Sequence, residues 1–228
     1  MSALSHIPYD IIIFGIVSVL LAYRLRGVLG RRMGSEPMVA VSPAAAVAPV
    51  VPPSSKPETD EPAASFDVPA PGTRVGDILV EIAKADPGFS ATQFLRGAET
   101  SFRAIVTAFA MGDRDKLAHA LTPAACKDFV AAIDAREAAE QVQQTEIVAV
   151  NSLAIQDAVL TTLADGQREG TIDVLIVSRQ ISLLHDRDAQ PLVGTESVTE
   201  FSDLWRFERI FGAPVSGASW RLASVRAA

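Results

Sequence analysis

Between residues 75 and 226 the apolar residues change their spacing once, and no other feature of the chain narrows its fold as much. Up to about Gln141 they recur every three or four positions, the period of a helix with one buried face. Val75, Ile78, Leu79 and Ile82 mark a first helix before Asp86 and Pro87. Phe94, Ala98, Phe102, Ile105, Val106 and Phe109 mark a longer second one, which Gly112 and Asp113 close. A short helix over 114–121 follows. Thr122 then has the character of an N-cap and Pro123 that of a first helical residue, for a helix over 124–141 with Phe129, Val130 and Ile133 inward. Beyond it the period becomes two. Segments 146–150, 152–163, 171–184, 197–209 and 220–226 are rich in Val, Ile, Thr and aromatic residues, and Ile172, Val174 and Ile176 alternate strictly. LADGQREG and DRDAQPLVG supply turns. Helices first and strands afterwards predict an α+β fold, with N-terminal helices packed on a curved antiparallel sheet. Strands of this length curl, and the curl predicts a hollow between sheet and helices.

The residues before 73 follow other rules. Nine of the 14 prolines lie within 34–72, together with Ala, Val and Ser. Proline at that density excludes helix and central strand, so this stretch is expected to be a disordered spacer of polyproline character, reaching at most about 120 Å. Ahead of it, Ile11, Ile12, Ile13, Phe14, Val17, Leu20, Leu21 and Tyr23 belong to a run without charge, and Arg24, Arg26, Arg31 and Arg32 follow. Positive charge after the apolar run, with no small-residue cleavage context, argues for a membrane anchor over a secretory signal. Arginine stems can lie along the bilayer while their charged heads reach its surface, which extends a run shorter than the ~20 residues of a usual span. The arginine side is expected to stay in the cytoplasm, which places the folded domain there. A helix lying in the interface is the alternative. The expected organisation is a membrane anchor with a basic flank over 1–33, a linker over 34–72 and a folded domain over 73–228.

Residues 73–228 carry 15 basic and 21 acidic side chains, which argues against nucleic acid as a partner. The single cysteine, Cys126, cannot form an internal disulfide and reads as a small core residue. His6, His119 and His185 are scattered, and no Cys/His spacing suggests a metal. Asp186 and Asp188 sit in a turn without the remaining ligands of a calcium loop. No glycine-rich phosphate loop or nucleophile elbow occurs, and no cofactor is implied. Glu200, Asp203 and Glu208 are candidate bases if they line a hollow, but pairing with Arg206, Arg209 or Arg179, or exposure to water, is the plainer expectation.

Three segments resemble one family. DPGFSATQFLRGAETSFRAIVTAFAMGDRDKLAHALTPAACKDFVAAIDARE is similar to the opening of the C-terminal domain of the inner-membrane translocase subunit forty-four family. VTEFSDLWRFERIF, with Trp205, Phe207, Glu208 and Arg209, resembles that family's strand signature. YDIIIFGIVSVLLAYRLRGVLGRRMG resembles the short anchor of its alphaproteobacterial members. The resemblance implies a cone-shaped α+β fold like nuclear transport factor two, an apolar pocket, affinity for anionic lipid, and an adaptor role at the inner membrane. The implied partners are integral membrane proteins or translocation machinery, with ribosome or chaperone as further classes. The long N-terminal region of mitochondrial members is replaced here by the anchor and linker, so chaperone tethering does not carry over. The helix over 75–86 holds Asp77, Glu81 and Asp86 against Lys84, unlike a lipid-docking helix. APVSGASW keeps only Trp220 of the family's closing turn.

The expected function is therefore a non-enzymatic, membrane-anchored adaptor. Lipid binding is the first alternative and a small-molecule enzyme on the same fold the second. Phe94, Phe102, Ile105, Phe109, Trp205, Phe207 and Trp220 are the candidate pocket or core residues.

Overall fold

The structure, a computed structural model, describes residues 63–212 and 219–228. The expected anchor from Ile11 to Tyr23, the basic residues Arg24, Arg26, Arg31 and Arg32, most of the linker, and residues 213–218 of the closing turn lie outside the described residues. No helix among the described residues is long and apolar enough to cross a membrane.

Four helices follow the first period. Helix α1 spans Arg74–Ala85, and its N-cap Thr73 accepts a hydrogen bond from the Gly76 amide. Helix α2, Ala91–Met111, is 21 residues long and ends at Gly112, whose φ of 72° is left-handed. Glycine adopts that conformation without the Cβ penalty of other residues. Helix α3, Arg114–Ala120, is capped by Asp113. Helix α4, Pro123–Ala138, begins as expected, with Thr122 as cap and Pro123 in its first turn. Its C-terminus comes earlier than the sequence suggested, because Ala139 and Glu140 leave the helix and Glu140 takes a φ of 54°.

The five strands are β1 (Ser65–Asp67), β2 (Val142–Thr162), β3 (Arg168–His185), β4 (Pro191–Phe211) and β5 (Arg221–Ala227), and they lie side by side in chain order. All neighbours are antiparallel except β1 and β2. The register shifts at three places between β2 and β3, from Ile147 to Asp157. Extra residues on one strand bend it and raise its twist, so β2 curls across the helices. The core lies under that curl. Leu95, Phe102 and Ile105 of α2 meet Leu153 of β2, Ile172 and Ile176 of β3, Phe207 of β4 and Leu222 of β5, all within one buried cluster. The alternation of Ile172, Val174 and Ile176 is realised, and all three are fully buried.

Two expectations about extent are corrected. The spacer was to run unstructured to Gly72, but Ser65–Asp67 forms β1, paired parallel to Ser152, Leu153 and Ala154. Phe66 and Val68 pack against the core there, and a short apolar patch between prolines is enough to hold an edge strand. The second correction concerns β4, which begins at Pro191, before the expected start near residue 197. Residues 191–198 are exposed and so carry no core alternation to read. Proline is accommodated as the first residue of that strand.

Candidate functional site

Helix α2 lies along the curled sheet without filling the space beneath it, and two hollows open on it. The smaller, about 320 Å³, lies toward the N-terminal half of α2 and takes in Phe89, Phe94, Phe207, Arg209 and Trp220. The Phe94 ring meets Phe207 edge-on at 5.7 Å and Trp220 at 5.0 Å. Arg209 crosses from β4 to Asp86 at 2.7 Å, which ties the corner between α1 and α2 to the sheet.

The larger hollow, about 460 Å³, is bounded by α2, α4 and the far end of the sheet. Its walls are apolar: Ile105, Val106 and Phe109 come from α2, and Phe129 and Ala132 from α4. Phe109 and Phe129 meet edge-on at 5.3 Å. Arg136 donates to the carbonyls of Phe109 and Ala110 at 2.9 and 3.2 Å, satisfying the end of α2 and fixing that wall. The floor is polar. Gln143 and Thr145 of β2 and Gln180 and Ser182 of β3 line it. Gln143 Nε2 donates to Thr145 Oγ1 and Ser182 Oγ at 3.1 Å each, and Gln180 Nε2 donates to Ser178 Oγ at 2.8 Å.

Trp205 joins floor to wall. It is 3% exposed and lines the hollow, and its ring lies 5.0 Å from that of Phe102. Its indole N–H is buried with no hydrogen-bond partner among the described residues. One step along the same face of β4, Asp203 stands opposite Ile176 on β3 and Ala227 on β5. Burial pushes the Asp203 carboxyl up to about 6. Burial, with Glu169 nearby, also raises the Glu208 carboxyl.

The acids singled out in the sequence part company. Glu200 is exposed and accepts from Asn151 Nδ2 at 3.3 Å. Asp203 pairs with none of Arg206, Arg209 and Arg179. Arg206 instead grips Asp173 through two hydrogen bonds of 2.7 and 2.8 Å, and Arg209 holds Asp86. Of the candidate pocket residues, Phe94, Phe207 and Trp220 come together at the smaller hollow, and Ile105, Phe109 and Trp205 at the larger. Phe102 lies between them as core, 1% exposed. Sequence reading missed the polar floor, although a signal exists. The inner row of β3 continues from Ile172, Val174 and Ile176 into Ser178, Gln180 and Ser182 without leaving its face.

No histidine lines either hollow, and no group of metal-ligating side chains occurs among the described residues. A helical layer on a curled sheet, with an open hollow between them, suits a module that encloses part of another molecule. The model of the Tim44-like domain family matches residues 75–227, and the chain belongs to that family. Its members are membrane-associated, tied to protein translocation and generally non-enzymatic. No curated protein matches the sequence. Among solved structures, the intermembrane space region of chloroplast protein ARC6 is similar over 58% of this chain and 94% of that chain, at 14% identity and a TM-score of 0.40, too slight a likeness to bear on function.

Proposed function

We propose that the protein is an adaptor, held at the inner membrane by residues 11–23 as a single-pass anchor, whose domain binds membrane-protein clients or translocation and assembly partners on the cytoplasmic side. The observation that supports it best is the larger hollow, with its apolar walls and an opening that the domain's own side chains leave unfilled. Family membership supplies the membrane and translocation theme. The run from Ile11 to Tyr23 supplies the tether, and the proline-dense linker gives the domain reach. Lipid binding is the second reading, favoured by Ile105, Val106, Phe109 and Phe129, which suit an acyl chain as well as an apolar side chain.

Deleting residues 11–23 tests the role of the tether. The expected result is release of the domain from the membrane fraction and loss of function in cells. A soluble deletion variant that keeps full function overturns the proposal.

A further inference from the structure

We infer that the outer face of the sheet, the face turned away from the helices, joins a second copy of this chain about a twofold axis along β3. The inference is independent of the adaptor role, because both hollows lie on the helical side and stay open.

Strand pleating fixes which residues share the outer face. Ile172, Val174 and Ile176 turn inward to the core, so Asp173, Leu175 and Val177 turn outward. Their partners in register turn outward with them. Leu175 lies between Ala154 of β2 and Leu204 of β4, and Asp173 lies between Asp157 and Arg206. At the edges, Asp67 of β1 stands beside Ala154, and Arg226 of β5 beside Leu204. Leu175, Val177 and Leu204 are half-buried and lie outside the buried cluster beneath the helices. Asp173 receives two hydrogen bonds from Arg206, so covering this centre leaves no orphan carboxylate.

The charges identify what covers the face. Read across the strands, the row through Leu175 has an acid at one end, Asp67, and a base at the other, Arg226, with three apolar residues between. The next row has its acid on β2, Asp157, and its base on β4, Arg206. The sheet has five strands in chain order, so β3 is its centre. A twofold axis along β3 lays β1 over β5 of the second copy and β2 over β4. Asp67 then faces Arg226 of the second copy, Asp157 faces Arg206, Ala154 faces Leu204, and Leu175 meets itself. Every contact is made twice. Asp67 and Arg226 are exposed, and Arg206 is 46% exposed even while it holds Asp173, so these charges can reach a partner. Glu208 and Arg179 lie toward the two ends of the face, away from this centre. A lipid surface or a partner of one charge meets both signs at once and gains nothing from the pattern. A face five strands wide and about six residues long measures about 24 by 20 Å, so the pair buries roughly 1,000 Å², near the lower bound of specific interfaces. Dissociation at micromolar concentration is expected for such an area.

The test uses the full chain in dodecyl maltoside, with micelles in excess over chains and Cys126→Ser as background. Asp67→Cys and Arg226→Cys are made in separate preparations. A bis-maleimide that spans about 10 Å, the separation of packed sheets, is added to each alone and to their mixture. Within one chain the two positions are four strand spacings apart, about 19 Å, beyond its reach. A crosslinked dimer is expected from the mixture, about tenfold above either variant alone, and Leu175→Arg in both chains should abolish it. Sedimentation of the unaltered chain should show a dimer that Asp67→Lys weakens about threefold and that Asp67→Lys with Arg226→Asp restores. This exchange touches only exposed groups and needs no change in the apolar centre. Equal crosslinking in the mixture and in each variant alone, no crosslinking, or crosslinking that survives Leu175→Arg overturns the inference. So does Asp67→Cys linking chiefly to itself, which places the axis across the strands. Failure of the double exchange to restore the dimer overturns it as well. None of these outcomes bears on client binding in the hollows.

Discussion

Asp203 gives the domain a pH dependence that can be isolated from every other carboxylate by one substitution. Burial lifts its carboxyl from the ordinary 3.8 to about 6. The folded chain therefore holds that proton more tightly than the unfolded chain. This acid costs nothing below about 3.8, and its cost grows as pH rises through about 6. The whole gap corresponds to about 3 kcal/mol at pH 7.5, and partial solvent contact reduces it to roughly 1.5 kcal/mol. Asp203→Asn removes the charge with little change of shape. The variant should be more stable than the parent by about 1.5 kcal/mol at pH 7.5 and by about a third of that at pH 4.5. Urea unfolding of the full chain in detergent, followed by tryptophan fluorescence, reads this as a midpoint difference of several tenths of a molar at pH 7.5 that shrinks at pH 4.5. Other acids, such as Glu81 and Glu137, which their partners Lys84 and Arg114 hold below the usual range, titrate alike in parent and variant and cancel in the comparison. A gain that is absent at pH 7.5, or the same at both pH values, refutes the claim that burial strips water from a charged Asp203 carboxylate.

Three further substitutions follow from packing. Gly76→Ala places a Cβ 2.0 Å from the Ala70 carbonyl oxygen and 2.9 Å from the capping hydroxyl of Thr73, and should destabilise by about 2–3 kcal/mol in the same urea assay. Gly97→Ala adds a Cβ with no atom within 4 Å in the middle of α2, and should stabilise by about 0.5–1 kcal/mol. Arg206→Ala leaves Asp173, 4% exposed, with only Arg226 at 3.9 Å, and should cost about 2–4 kcal/mol, measured as a lowered unfolding midpoint.

The helices and the sheet were legible because their signals are local. The cap at Thr122 and the stop at Gly112 each act within a few residues of the chain. Ile172, Val174 and Ile176 announce their face by spacing alone. What was not legible depends on partners distant in sequence. Ser65–Asp67 becomes a strand only because the edge of β2 at Ser152–Ala154 is there to receive it. Arg206 chooses Asp173 because the register sets those two residues side by side on β3 and β4, and proximity in sequence could not reveal that. The candidate site was legible in its aromatic half, from Phe94 through Trp220. Its polar half was hidden, because a glutamine at an inner strand position is indistinguishable in sequence from one facing water until the helices above it are placed.

Photocrosslinking in living cells tests the proposed client-binding hollow most directly. A photoreactive residue at Phe109, in the wall of the larger hollow, is compared with one at Val159, exposed and outside it. Client binding predicts adducts with membrane proteins or translocating chains from position 109 and not from position 159. Adducts with lipid alone, no adducts, or the same adducts from both positions would contradict it.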